Sequence, residues 1–249
     1  FLLRLVNDNF SIALDRLSSA EKSYLVMLYR DYYGLFNPCP KFSSFDELLL
    51  ALRQDTHLVS ELREVLPVLF DGTQETQAPQ GALLKEGFPL TLHGVYTREH
   101  IMAACQYSSL ESRGDFIGGA LCSPIPEALE GSVDTGAYPI GDLMFVDIDK
   151  GDKTPSTAYE DYAIDRSTFH WQSPNATTSS SETGKKLLNT KRIKLLFVRH
   201  KKKAKGGRTN PFVYLGPVHY VSHQGEKPIS FVWALEHPMP EEVFHYAQR

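Results

Sequence analysis

Tyr159-Glu160-Asp161-Tyr162 and Phe169-His170-Trp171-Gln172-Ser173 are the segments of this 249-residue chain whose side chains could do chemistry together. Side chains alternate between the faces of a strand. His170 and Gln172 therefore share one face, and Phe169, Trp171 and Ser173 the other. By the same period, Tyr159, Asp161 and Ala163 oppose Glu160, Tyr162 and Ile164. Imidazole, amide and carboxylate groups beside aromatic rings can bond a base edge while a ring stacks on its plane. Tyr159, Tyr162, His170, Trp171, Gln172, Ser173 and Asn175 form the candidate base pocket on this reading. The plainer alternative places Phe169 and Trp171 in the core, with His170 and Gln172 tying down buried backbone.

A cationic stretch follows. From Thr183 to Gln224 there is no Asp or Glu, yet eleven of the chain's 26 Lys and Arg fall there. The whole chain has 30 Asp and Glu, so positive charge is concentrated in this window. Ammonium and guanidinium groups release counterions from a phosphate backbone. The candidate phosphate contacts are Lys185, Lys186, Lys191, Arg192, Arg199, Lys201, Lys202, Lys203, Lys205 and Arg208. Arg199 to Arg208 reads as a hairpin loop, and the Ser- and Thr-rich run Asn175 to Gly184 as a mobile loop offering hydroxyls and amides to phosphate. Solvated charge and a solvated loop are the alternatives.

Other chemistries fit less well. The Gly-x4-Gly-Lys spacing of a nucleotide-binding loop is absent around Gly184. His200-Lys201-Lys202 matches the start of a phospholipase-D-type motif, but Gly207 stands where its Asp belongs. Asp142, Asp147 and Asp149 with Lys150 have the composition, not the spacing, of a metal-dependent nuclease core. Cys39, Cys105 and Cys122 are odd in number and far apart, which fits neither a disulfide framework nor a paired-cysteine zinc site. They suit a reducing, cytoplasmic compartment. No cofactor or metal is expected, and no apolar run reaches the roughly 18 residues of a membrane span. Phe1 is no initiator, so the chain reads as a piece of a longer protein.

The elements that must position these residues suggest an α+β fold. Ser18 or Ser19 caps a helix over residues 20–32, with Tyr24, Leu25, Leu28, Tyr29 and Tyr32 on one face. Ser43 or Ser44 opens a second helix through Leu52. Thr56 begins a third, whose stripe is Leu58, Leu62, Val65, Leu66 and Leu69. Residues 1–72 are thus a helical subdomain and 73–88 a linker. Residues 89–249 form a mixed domain with strands over 89–96, 143–148, 158–164, 193–199, 211–215, 219–222 and 229–235. A short helix follows Thr97, and another follows Pro240. The sheet is expected to be mostly antiparallel and barrel-like.

Pro89-Leu-Thr-Leu-His93, Tyr96-Thr97-Arg98, the two aromatic segments, Thr177-Thr178 and Gly184 recur in order with Leu195-Leu-Phe-Val-Arg199 and Pro211-Phe-Val-Tyr-Leu-Gly216. Tyr220-Val-Ser-His223 and His237-Pro-Met-Pro240 complete the series. In these residues the chain resembles the C-terminal domain of unknown function carried by bacterial superfamily 2 (DEAD/DEAH-type) helicases. It departs at Pro174, where that family often has Gln. Many such helicases also carry a phospholipase-D-type nuclease and look like restriction-modification or phage-defence proteins. The resemblance implies a targeting role beside a motor and nuclease in the same parent chain, without catalysis by this domain itself. The expected partner is DNA, duplex or locally single-stranded, and the finer expectation is a modified base read in a PUA- or SRA-like pocket. Tyr96 and Arg98 in the opening motif are further site candidates. The alternatives are a module docking the helicase core and a cryptic metal-dependent nuclease.

Overall fold

The computed structural model describes residues 1–36, 38–74, 89–112, 120–122, 141–150, 160–204 and 206–249. Most of the expected linker, Tyr159 and Lys205 lie outside them. Among the described residues the fold is mixed α+β, with seven α-helices and one mixed sheet. These residues divide into two compact units: 1–36, 38–74, 89 and 99–112 in one, the rest in the other. No helix among them is long and apolar enough to cross a membrane.

The first unit is helical. It contains α1 (Leu2–Asn7), α2 (Ser19–Tyr32), α3 (Phe45–Gln54), α4 (Thr56–Gln74) and all but the first residue of α5 (Arg98–Ala104). Ser18 opens α2 with a capping box: its hydroxyl accepts from the Glu21 amide while the Glu21 carboxylate accepts from its own. Ser44 caps α3. The buried residues of α2 are Ser23, Leu25, Val26, Met27, Tyr29 and Arg30, which keep Leu25 and Tyr29 of the expected stripe and leave Tyr24, Leu28 and Tyr32 half-buried. Along α4 the expected stripe goes inward only in part, with Leu58, Leu62 and Leu66 half-buried. Val59 is buried instead, whereas Val65 and Leu69 are exposed. The packing partners α1 and α3 meet α4 around Val59 and Arg63, whose guanidinium reaches the Val6 carbonyl.

The second unit carries the candidate site. Its strands are β1 (Val95–Tyr96), β2 (Leu121–Cys122), β3 (Gly141–Asp149), β4 (Tyr162–Asp165), β5 (Thr168–Gln172), β6 (Ile193–Lys201), β7 (Phe212–Gln224) and β8 (Ser230–Leu235). They pair in the order β2-β3-β6-β7-β8-β5-β4, with β1 also on β7. The sheet curls as a half-barrel, its path ending at β2 and β4 among the described residues. All pairings are antiparallel except β3 with β6. The chain between these two strands makes the β4–β5 hairpin and helix α6 (Glu182–Leu188), the long crossover a parallel pair requires.

Two expected strands merge into β7. It continues through Gly216 by a register shift opposite Leu196 and Phe197. Gly216 holds φ +88°, and a Cβ there would stand 2.8 Å from Leu92 Cδ1. Trp171, Phe231, Trp233, Phe169, Leu196 and Val198 centre the core, which α7 (Glu241–Ala247) helps to close through Val243 and Ala247.

The Ser- and Thr-rich run is a hydrogen-bonded turn and helix start where the sequence suggested a mobile loop. Ser181 caps α6 by accepting from the Gly184 amide, and Ser179 is held by both carboxylate oxygens of Glu226. Gly184 lies so close to this turn that a Cβ would sit 1.9 Å from the Thr178 carbonyl oxygen.

Candidate nucleic-acid interface

The parallel register places acids of β3 beside cations of β6: Asp147 faces Arg199 and Asp149 faces Lys201. Arg199 Nε donates to Asp147 Oδ1 at 2.5 Å, and its Nη1 donates to the Asn210 carbonyl at 2.7 Å. Its guanidinium lies 4.0 Å above the Phe212 ring. At the other end of the strands, Arg192 grips Asp142 with two bonds of 3.0 and 2.8 Å, both side chains sealed from solvent. Arg192 and Arg199 are therefore not phosphate contacts, as the sequence suggested. Their charge is spent on Asp142, which is sealed, and on Asp147, which is partly exposed.

Lys194 is buried too. Its ammonium donates to the carbonyls of Asn189 and Arg192 at 2.8 and 3.1 Å and lies 5.7 Å from the Trp233 ring centre. Burial pushes its pKa down to about 8, against the pull of Asp142. The carboxylates of β3 do not gather as a nuclease centre would need. Asp142 points to the opposite face from Asp147 and Asp149, and each has a cation beside it.

The remaining cations face outward. Lys202 and Arg208 are exposed in the hairpin between β6 and β7, and neither side chain has a partner among the described residues. Lys203 folds its ammonium onto the Gly207 carbonyl and Thr209 hydroxyl of the same loop, while Lys201 pairs with Asp149 at 2.8 Å. Lys185 and Lys191 are also exposed, and Lys186 is half-buried. These three flank the start of β6, so its nine residues separate them from the hairpin by roughly 25 Å. The window holds two outward clusters rather than one ridge.

The candidate base pocket divides in the same way. Tyr162 is the register partner of His170, and their rings stack at 4.7 Å and 17°. His170 Nδ1 bonds the Glu160 carbonyl at 2.6 Å, leaving Nε2 for other partners. Gln172 lies on the same face, but its Oε1 accepts from the Glu160 amide and its Nε2 donates to Ser230 Oγ. It shapes the site instead of reading a base. Trp171 and Ser173 are on the core side with no solvent exposure, because β5 turns its odd-numbered residues inward. Ser173 Oγ accepts from the Ile229 amide, and Trp171 packs near Phe231. Neither can touch a base, which corrects the sequence reading.

Asn175 is exposed in the turn after β5. Tyr96 accepts from the Thr91 amide and braces the separate turn over residues 91–96, and Arg98 lays its guanidinium 3.8 Å over Phe145.

A cleft of about 220 Å³ opens beside the Tyr162 ring. Ile148 lines it with Glu160, Asp161 and Tyr162 and with Ala247, Gln248 and Arg249. The Gln248 backbone bridges to Ala163, bringing the end of α7 to β4. Asp161 is locked by Lys150 at 2.6 Å and by the Gln172 amide, while burial pushes its carboxyl pKa up. Arg249 hangs 5.4 Å over the Tyr162 ring and 3.5 Å from Glu160. Next to Ala247, Tyr246 stacks on His200 at 5.2 Å, and burial with Glu242 nearby raises its phenol pKa to about 12. Tyr246 and Arg249 were not foreseen, and the sequence singles out Lys150 only beside the β3 carboxylates. The return of α7 to β4 is a long-range pairing, signalled in sequence only by Val243 and Ala247, one helical turn apart.

A family model described as a domain of unknown function (DUF3427) matches residues 90–247, well over half of the chain. No curated protein matches it.

Proposed function

The chain belongs to the DUF3427 family, and we propose that it is a non-catalytic DNA-binding domain that grips the backbone with its β6–β7 hairpin and presents the Tyr162 cleft to a base. One observation carries this reading: hairpin and cleft share one end of the sheet. Ile148 lines the cleft, and the next residue of β3, Asp149, pairs with Lys201 at the root of the hairpin. His200, between Arg199 and Lys201, stacks on Tyr246 beside the cleft residue Ala247. Cations without acidic partners at a tip suit phosphates, and a half-exposed ring in a small cleft suits one stacked base.

The fuller reading is a PUA- or SRA-like reader, with the helical N-terminal residues as its own subdomain, serving a helicase and nuclease of one cytoplasmic parent protein in restriction or phage defence. It draws on the motif resemblance and on the curled sheet. Anisotropy titrations of the full chain with labelled duplex and single-stranded DNA, at two salt concentrations, test the DNA reading. Binding should weaken at higher salt, and Lys202→Glu/Arg208→Glu should weaken it at least tenfold on every sequence. No binding, or no effect of the variant, would overturn it.

A docking module for the helicase core is the second reading. It draws on α4, where Val65, Val68 and Leu69 are exposed at helical spacing. Co-purification with that core, in a chain that binds no DNA, would favour it.

A further inference from the structure

The polar groups of the Tyr162 cleft are unevenly committed. Asp161 is closed off, with one oxygen on Lys150 and the other on the Gln172 amide. Glu160 is different. Its side chain is 57% exposed, and its one partner among the described residues is Arg249, itself 69% exposed and 3.5 Å away. Such an ion pair is worth at most about 1 kcal/mol in water, so it is readily exchanged. His170 stacks on the Tyr162 ring at 4.7 Å, and the Arg249 guanidinium is a second planar group 5.4 Å from the centre of that ring. At about 220 Å³, and with Ile148 and Ala247 as apolar walls, the cleft falls below the size of drug-like pockets and suits one small planar ring system.

We infer that Arg249 holds the place of a nucleobase and that Glu160 selects the base by its amino edge, guanine first. The inference rests on the DNA-binding reading and refines it. A carboxylate only accepts hydrogen bonds. Guanine offers it a fork of two adjacent donors, N1–H and the 2-amino group, matching two carboxylate oxygens as an arginine fork does. Cytosine and adenine each offer one amino group. Thymine offers a single N–H flanked by two carbonyls, whose oxygens would face the carboxylate with like charge. The expected order is guanine, then cytosine and adenine, then thymine.

Single-stranded oligothymidylates carrying a central guanine, cytosine, adenine or thymine provide the test, read by anisotropy with the full chain. The guanine strand should bind about tenfold more tightly than the all-thymine strand, in line with one two-pronged base contact. Glu160→Gln should shrink that gap below about threefold, weakening the guanine strand through loss of the two-pronged acceptor and strengthening the all-thymine strand through loss of the like-charge clash. Tyr162→Leu should weaken the guanine strand most, with circular dichroism reporting an intact fold. Equal affinity for all four strands, or a guanine preference that survives in Glu160→Gln, would overturn the inference while leaving DNA binding standing. Failure to bind any strand would sink the DNA reading, and this inference with it.

Discussion

Two sets of cations drawn from one acid-free stretch of sequence end in opposite environments. Arg192, Lys194 and Arg199 are buried among carboxylates, carbonyls and rings, whereas Lys202 and Arg208 stand in solvent at the hairpin. The boundary is graded along the parallel β3–β6 pair. Asp142–Arg192 is sealed, with side chains 0% and 5% exposed. Asp147–Arg199 is intermediate at 30% and 7%, and Asp149–Lys201 is open at 38% and 52%. Charge composition in a window does not measure surface potential when a distant strand supplies the counter-charges. What remains for a polyanion is what β3 leaves unpaired.

The sealed end should fail first. Asp142→Ala leaves the Arg192 guanidinium buried without its carboxylate and should lower stability by about 3–5 kcal/mol, read from urea midpoints. Replacing both residues with apolar groups of similar volume should recover much of the loss. Unchanged stability in the single variant would dissolve the contrast between the two sets.

Lys194 gives the next effect. Its folded pKa is depressed from 10.5 to about 8, so the unfolded chain binds more protons between those values. The stability linked to this group is therefore present above about pH 10.5 and lost as pH falls through about 8. Stability profiles of wild type and Lys194→Met should diverge across that window, wild type carrying the extra rise with pH. Parallel profiles would mean that the ammonium is not buried as described.

At the open end the same charge change should act on binding alone. Lys202→Glu/Arg208→Glu should leave the urea midpoint within about 0.5 kcal/mol of wild type while DNA affinity falls. Asp149→Asn, which opens an exposed pair, should cost at most about 1 kcal/mol of stability. A large loss there would place the boundary between the two sets nearer the hairpin.

Local signals in the sequence located much of the fold. The Ser18 and Ser44 caps mark α2 and α3, and the alternation in Phe169 to Ser173 separates His170 and Gln172 from Trp171 and Ser173. Alternation names two faces but not which one is covered. That depends on β8 and on Val243 and Ala247 of α7, far along the chain. The burial of Arg192 and Arg199 was hidden for the same reason, since it needs the parallel register with β3. The cleft was half legible. Tyr162 and His170 could be read from their segments, but Lys150 and Arg249 reach the site through tertiary contacts.

The account stands on the hairpin being the part of the cationic stretch that meets phosphate. The most direct measurement is the slope of log Kd against log salt concentration for one DNA, compared between wild type and Lys202→Gln/Arg208→Gln. Each lost phosphate contact should lower the slope by about 0.9 on duplex DNA, so the double variant should lose nearly two units with its urea midpoint unmoved. An unchanged slope would contradict the account.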